Sequence, residues 1–221
     1  MEDATFLQHY DPAAYDRPSV TVDCVTLGLR DGGLAVLLTQ RDRPPFAGDW
    51  ALPGGFVGID ESLEAAAARV LQDKAGLTDV TPEQVHCFGA VDRDPRMRII
   101  AVAYRVLLDP ERVAALQLRE DQCLATIDAA GLRLAFDHDD IVRLTLERLR
   151  REIDDAAFAL LPERFTLREL QTVHEAVLGR TLNKPAFRRR MLERGVLQAT
   201  GDYEAGRAFR PAELYVRLSK G

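Results

Sequence analysis

Two groups of charged residues in this sequence could do chemistry. In residues 55–77, Glu61, Glu64 and Asp73 could together hold a weak metal ion, because carboxylate oxygens are good ligands for divalent cations. The second group places four cations within seven residues, Lys184, Arg188, Arg189 and Arg190. On a helix these cations suit the major groove of DNA, the alternative being an ordinary solvated basic face.

The net charge of −6 is unevenly distributed along the chain. Residues 158–221 contain 12 Lys and Arg against 7 Asp and Glu, which gives this segment +5 and leaves −11 for residues 1–157. An acidic body with a basic tail indicates that the tail is the part that meets a polyanion. The alternative is chance surface composition.

Composition excludes several classes of protein. Apolar residues make up 47% and charged residues 29% of the chain, as in a globular protein with a real core. No apolar run approaches the roughly 20 residues that cross a bilayer, and the N-terminus lacks an export signal, so we expect a cytoplasmic protein with no membrane partner. The three cysteines and four histidines lack disulfide or ligand spacing, and no structural metal is predicted.

The first charged group needs a strand, a loop and a helix to position it. Residues 19–30 and 34–41 alternate around a turn at Asp31-Gly32-Gly33, which predicts a β-hairpin. Residues 43–58 contain three prolines and four glycines and predict a long loop with short extended pieces. A helix is then predicted over 61–75, with Asp60 as its N-cap and Gly76 after its end.

The remainder of the first domain is predicted to be mixed α/β. Residues 86–91 and 98–108 are strand-like and flank a polar turn at 92–96. Residues 139–154 carry one apolar stripe at helical spacing, which could close the domain or pair two subunits.

The second charged group lies in a predicted winged helix-turn-helix. Thr166 caps one helix that ends at Gly179, and Asn183 caps a second that ends at Gly195. Phe187, Met191 and Leu192 are expected to anchor the second helix inward, and two apolar segments that follow suit a two-stranded wing. We assign DNA contacts to Thr166, Lys184, Arg188, Arg189 and Arg190, and to Arg207 near the wing tip.

Residues 55–77, GFVGIDESLEAAAARVLQDKAGL, resemble the Nudix box. Gly55, Glu61, Arg69, Asp73 and Gly76 occupy its positions. The resemblance implies that Glu61 and Arg69 form an internal ion pair that fixes the loop to the helix. It also implies that Mg²⁺ is held by glutamates at three positions that are here Val70, Asp73 and Lys74, so hydrolysis is expected to be weak or absent.

Segments outside the box are similar to those of the Nudix-related transcriptional regulators (NrtR). They include Gln40-Arg41 with Pro45-Phe46, Asp92 to Arg96, Ala135 to His138 and Phe165 to Gln171. The resemblance implies an α+β protein, an N-terminal Nudix-like α/β/α sandwich (1–155) plus a C-terminal winged helix-turn-helix (156–221). It further implies a homodimeric repressor of NAD-metabolism genes that binds operator DNA, responds to ADP-ribose and requires no cofactor.

Candidate ligand contacts follow from the anionic diphosphate of such a nucleotide. Guanidinium groups pair well with phosphate, which selects Arg41, Arg93 and Arg96, while Gly54 and Gly55 lie in the loop before the helix. Lys74 would place an ammonium where a metal otherwise sits, or would simply face solvent. Phe46 could stack on a base or be a structural aromatic.

Two alternatives to the ADP-ribose-responsive repressor stay open at this point. One is an ADP-ribose pyrophosphatase with an unusual Mg²⁺ site. The other is a regulator that senses a different nucleotide or sugar.

Overall fold

A computed structural model describes residues 3–127, 133–204 and 211–218. A short helix α1 (Asp3–His9) and a 3-10 turn (Pro12–Ala14) precede the first domain. The strands of that domain are β1 (Ser19–Arg30), β2 (Gly33–Gln40), β3 (Trp50–Ala51), β4 (Gly54–Phe56), β5 (Glu83–Phe88), β6 (Ile99–Leu107) and β7 (Gln122–Thr126). Its helices are α2 (Leu63–Ala75), α3 (Pro110–Ala115) and α4 (His138–Ala156).

These strands form one mixed sheet with β1 at its centre. β1 pairs in parallel with β6 and in antiparallel fashion with β2, whose hairpin turn places Asp31 and Gly32 at positive φ. β4 pairs with the beginning of β1, while β3 and β7 pair with β2. The predicted hairpin is confirmed, whereas α1, α3 and β7 were not predicted, although α3 begins with an Asp109 N-cap followed by proline.

A helix covers each face of the sheet. Because successive side chains of a strand point to opposite faces, Cys24 packs towards α2 while Val25 packs towards α4. Ala35 and Val36 divide in the same way on β2. The predicted α/β/α sandwich is confirmed.

The N-cap of α2 differs from the one predicted. The Ser62 hydroxyl oxygen accepts a hydrogen bond from the Ala65 N–H at 3.1 Å, so Ser62 and not Asp60 begins the helix. At the other end Gly76 adopts φ 63°, the left-handed conformation that glycine provides at low cost.

The C-terminal part is a winged helix-turn-helix, as predicted. It contains β8 (Phe165–Thr166), α5 (Leu167–Leu178), α6 (Lys184–Glu193), β9 (Leu197–Tyr203) and β10 (Glu213–Arg217). The three strands form a sheet in the order β8-β10-β9. Arg207 lies outside the described residues.

One hydrophobic core joins the two domains. It runs from the α4 side of the sheet, through Leu149 and Ile153 of α4, to Leu170 of α5 and Met191 of α6, all buried. The predicted domain boundary, between residues 155 and 156, falls in the last turn of α4. Within the described parts of the chain, no helix is long and apolar enough to cross a membrane.

Candidate functional sites

A cleft of about 420 Å³ opens where β1, β4 and the start of α4 meet. This volume is in the range of small-molecule sites. Its lining is rich in charge of both signs, with the cations Arg41, Lys74, Arg93, Arg96 and Arg119 and the anions Asp23, Asp42, Asp94 and Asp121. Such a lining suits a polar, anionic ligand held by several cations.

Lys74 points into this cleft from α2. Its Nζ donates a hydrogen bond to the Gly54 carbonyl at 2.5 Å, and burial lowers the pKa of Lys74. Gly54 is required here, because a Cβ would lie 2.2 Å from Asp23 Oδ1. Lys74 therefore lines the cleft while its side chain stays solvent-exposed, and its role as a phosphate contact stays a prediction.

Glu61 and Arg69 lock the loop before α2 to that helix. Arg69 donates to both Glu61 carboxylate oxygens at 3.0 and 2.5 Å and to the Phe56 carbonyl at 2.9 Å. The Gly58 N–H also donates to Glu61 at 2.6 Å. These hydrogen bonds, that from Arg69 foremost, lower the pKa of Glu61 to about 2. The predicted internal ion pair is confirmed.

The side chains around this lock do not fit a magnesium ion. Val70 is 1% exposed and packs under Gly55, where a Cβ would lie 2.9 Å from the Val70 side chain. Glu61 is occupied by Arg69, and Glu64 accepts a hydrogen bond from the Tyr104 hydroxyl at 3.3 Å. No group of three or more His, Cys, Asp or Glu that could hold a metal occurs among the described residues. The suggested Glu61, Glu64 and Asp73 site is not formed.

Arg93 forms the floor of the cleft, and two carboxylates, those of Asp23 and Asp137, form ion pairs with it. Its guanidinium donates to both carboxylate oxygens of Asp137 at 2.8 and 2.6 Å and to Asp23 at 3.4 Å. The Arg93 side chain is only 4% exposed. Arg93 lines the cleft but is already paired with both carboxylates, and its assignment as a phosphate or ribose contact stays a prediction.

His138 completes this floor from the first residue of α4. The Leu52 N–H donates to His138 Nδ1 at 2.9 Å, which places the proton of the neutral ring on Nε2, 3.8 Å from Asp23 Oδ2. Burial lowers the pKa of His138 and keeps the ring neutral. The start of α4 is thus fixed to the cleft.

Phe136 is an aromatic wall of the cleft that sequence reasoning did not assign. The Arg41 guanidinium lies 4.7 Å and that of Arg96 5.8 Å from its ring centre. Phe46 does not line the cleft; it packs edge-on against Phe136 at 4.9 Å and supports it from behind. The Arg96 guanidinium also lies 5.8 Å from the ring centre of Phe56. The stacking role predicted for Phe46 suits Phe136 better.

Arg41 and Arg96 carry like charges close together. Arg96 is tied to Asp94 by hydrogen bonds at 3.0 and 2.8 Å, and Arg41 donates to the Pro45 carbonyl at 2.8 Å. Burial, followed by the charge of Arg96, lowers the pKa of Arg41. An anion bound between the two guanidinium groups would relieve that repulsion.

The second charged face lies on α6, the recognition helix. Phe187 and Met191 are buried as predicted, whereas Leu192 is 41% exposed and does not anchor the helix. All four predicted cations of this helix are exposed, Arg190 as well as Lys184, Arg188 and Arg189. Arg190 differs from them, because its guanidinium binds Asp154 of α4 at 3.2 Å.

Thr166 is a helix cap and not a DNA contact. Its hydroxyl accepts from the Glu169 N–H at 3.1 Å and contacts the Glu169 carboxylate at 3.0 Å, while that carboxylate accepts from the Thr166 N–H. The residue is 1% exposed. The DNA-contact assignment is wrong because both polar groups are used in this capping box.

The fold and the two sites define a class of protein, a Nudix domain joined to a DNA-binding winged helix. Sequence models of the two domains match the chain, the NUDIX domain over residues 17–155 and the NrtR DNA-binding winged helix domain over residues 157–216.

Relatives share both halves of the chain. The ADPR responsive transcriptional repressor NtrR of Acinetobacter baylyi is 40% identical over 217 residues, which are 95% of this chain and 86% of that protein. Shewanella oneidensis NrtR complexed with a 27mer DNA is 36% identical with a TM-score of 0.75, covering 90% of this chain and 93% of that one. The NUDIX domain of the Shewanella protein, complexed with ADP ribose, matches with 36% identity and a TM-score of 0.60, covering 67% of this chain and 99% of that domain. The chain belongs to the NrtR family of Nudix-related transcriptional regulators.

Proposed function

We propose that this chain is a homodimeric repressor that binds ADP-ribose in the cleft and operator DNA through its winged helix, so that ADP-ribose lowers the affinity for DNA. The domains divide near residues 155 and 156. One observation carries the ligand half of the proposal: Lys74 presents an ammonium inside a cationic cleft. The similarity to an ADP-ribose-responsive repressor over 95% of the chain supports the whole.

The diphosphate is proposed to bind Arg41, Arg96 and Lys74. Guanidinium groups offer paired donors to phosphate oxygens, and Lys74 adds a point charge. The face of Phe136 lies beside Arg41 and Arg96 and offers a stacking surface for the base or ribose. Gly54 and Gly55 leave room for the ligand against β4.

The cleft is proposed to bind without efficient hydrolysis and to need no metal. Metal assistance contributes several kcal/mol to the transition state of phosphate chemistry, and each 1.36 kcal/mol is tenfold in rate. Here Val70 belongs to the core and Lys74 brings a positive charge that repels Mg²⁺. A pyrophosphatase therefore fits the side chains less well than a sensor does.

DNA is proposed to contact Lys184, Arg188 and Arg189 in the major groove. Arg207 is proposed to contact phosphate or the minor groove from the wing. A homodimer would place two recognition helices on half-sites about one helical turn, or a multiple of it, apart.

The test is a DNA-binding titration with and without ligand. Duplexes selected by the purified full-length chain from a random library are labelled, and their binding is followed by fluorescence anisotropy at fixed salt. ADP-ribose should weaken binding, whereas AMP and ribose 5-phosphate serve as controls that lack the intact diphosphate. The absence of any selected duplex, or no response to ADP-ribose, contradicts the proposal.

A parallel assay separates the repressor from the pyrophosphatase. Release of AMP from ADP-ribose is measured with Mg²⁺, for the chain and for the K74E variant, which restores one carboxylate. Turnover by the unmodified chain at rates typical of enzymes would favour the enzyme instead. If another nucleotide or sugar stabilises the chain against heat more strongly than ADP-ribose, the regulator senses that molecule.

A further inference from the structure

The end of α4 binds cations of the recognition helix. Asp154 Oδ2 lies 2.7 Å from Arg194 Nη1 and 3.2 Å from Arg190 Nη1. Asp155 Oδ1 lies 3.1 Å from Arg194 Nη2 and 3.9 Å from Arg217 Nη2 of the wing. We call Asp154, Asp155 and these three arginines the α4 acidic clamp.

The position of these carboxylates is unfavourable without the arginines. Asp154 and Asp155 lie in the last turn of α4, where the helix dipole disfavours negative charge, and that turn contains no basic residue. The winged helix supplies the compensating positive charge through Arg190, Arg194 and Arg217. The clamp therefore stabilises one placement of α6 against α4.

A buried histidine fixes Asp154 from the other side. His174 is fully buried in α5, with Nδ1 2.8 Å from the Leu170 carbonyl and Nε2 3.1 Å from Asp154 Oδ1. Its ring also packs against Phe187 of α6 at 4.9 Å. Asp154 thus touches α5 and α6 at once, and a small shift of α4 would change both contacts.

We propose that Asp154 is a positioning residue that competes with DNA phosphates for Arg190. Arg190 belongs to the cation run of α6 but is bound by a carboxylate of the first domain. The Arg190 side chain is 49% exposed, so a DNA phosphate can reach it when its ion pair with Asp154 is broken. This inference rests on the proposed DNA-binding function. It adds that a carboxylate of the first domain lowers the affinity of the winged helix for DNA.

The same helix reaches the ligand cleft at its other end. α4 has 19 residues and is about 28 Å long, at 1.5 Å per residue. Its first residue, His138, lines the cleft and binds Leu52, while Asp154 binds the recognition helix. A ligand that moves the start of α4 therefore acts on a rigid element that ends at the clamp.

The test compares the variants D154N and D140N. Both remove one negative charge from α4, but among the described residues Asp140 pairs only with exposed Arg143 near the far end of the helix, at 2.9 Å. Affinity for the selected duplex is measured as a function of salt. D154N should bind about fivefold more tightly, as expected from releasing Arg190 from a partly exposed ion pair, while Arg194 keeps its ion pair with Asp155. Its salt slope should grow by about 0.9, which is one additional phosphate contact, while D140N changes neither quantity.

A double-mutant cycle with R190Q identifies the cation. If Asp154 competes with DNA for Arg190, R190Q weakens DNA binding only slightly in the unmodified chain. In the D154N background it abolishes the increase in DNA affinity. Urea denaturation confirms that the variants fold, and D154E, which keeps the carboxylate, should behave as the unmodified chain.

Three outcomes overturn the inference: unchanged or weaker DNA binding by the folded D154N variant, an unchanged salt slope, or a gain that survives R190Q. If the unmodified chain selects no duplex at all, the proposed function fails and the inference fails with it. If the unmodified chain binds DNA but D154N shows no increase in affinity, only the inference about Asp154 is wrong. The proposed function is then unaffected.

Discussion

Replacing Arg93 by Met tests whether the floor of the cleft is structural. The substitution keeps an unbranched apolar stem but removes the charge that neutralises Asp23 and Asp137. Arg93 and Asp23 are nearly buried and Asp137 is 19% exposed, so the two carboxylates would face each other with little water.

The expected loss is large compared with the stability of a typical domain. Removing one partner of a buried ion pair costs about 3–5 kcal/mol, because the remaining charge is desolvated without compensation. Native domains are stable by about 5–15 kcal/mol, so R93M should lose about a fifth or more of its free energy of unfolding. R143M is the matched control, since Arg143 also makes two ion pairs on α4 but is 63% exposed, and its loss should stay below about 1 kcal/mol.

Urea denaturation followed by fluorescence provides the assay. Trp50, the only tryptophan, lies on β3 beside the cleft and reports unfolding of the first domain. If R93M does not fold, R93K keeps the charge without the bidentate geometry and should show a smaller loss. The reasoning is refuted if R93M is as stable as R143M. It is equally refuted if R93M weakens ADP-ribose binding while its stability is unchanged.

Three further predictions concern the lock, the aromatic wall and the helix cap. Because the folded pKa of Glu61 is about 2 against an ordinary 4.5, its ion pair stabilises the protein above pH 4.5 and is lost as pH falls towards 2. E61Q should therefore melt at a lower temperature at pH 7, and the difference should shrink as pH falls through 2. F136A should weaken ADP-ribose binding about tenfold in calorimetry, as expected for a lost stacking surface, and an unchanged affinity would exclude Phe136 from the site. T166A should cost about 1 kcal/mol in urea denaturation by loss of the cap, with DNA affinity per folded molecule unchanged.

Local patterns allowed prediction of most of the elements, whereas the Glu61–Arg69 lock was expected from the resemblance to the Nudix box. Strand alternation, helix periodicity and the glycines that follow α2, α5 and α6 are short-range signals. Thr166 shows the limit of such signals: the sequence identified its cap correctly but assigned it a second role that its burial forbids.

The arrangement around the cleft could not be predicted because it depends on distant partners. Arg93 meets Asp137 from 44 residues away and Asp23 from 70, so its sequence neighbourhood shows only an available cation. Arg190 is similar, since its partner Asp154 lies 36 residues away in the other domain. Phe136 was not assigned because nothing in its local pattern places it beside Arg41.

The continuous core has a consequence for how this protein can be divided. Leu170 and Met191 of the winged helix are buried together with Leu149 and Ile153 of α4, so a cut at residue 155 would expose apolar surface on both fragments. The two halves look like interchangeable parts in the sequence, yet the core on the α4 side of the sheet is shared between them. Grafting this winged helix onto another Nudix domain would require transplanting the outer face of α4 with it.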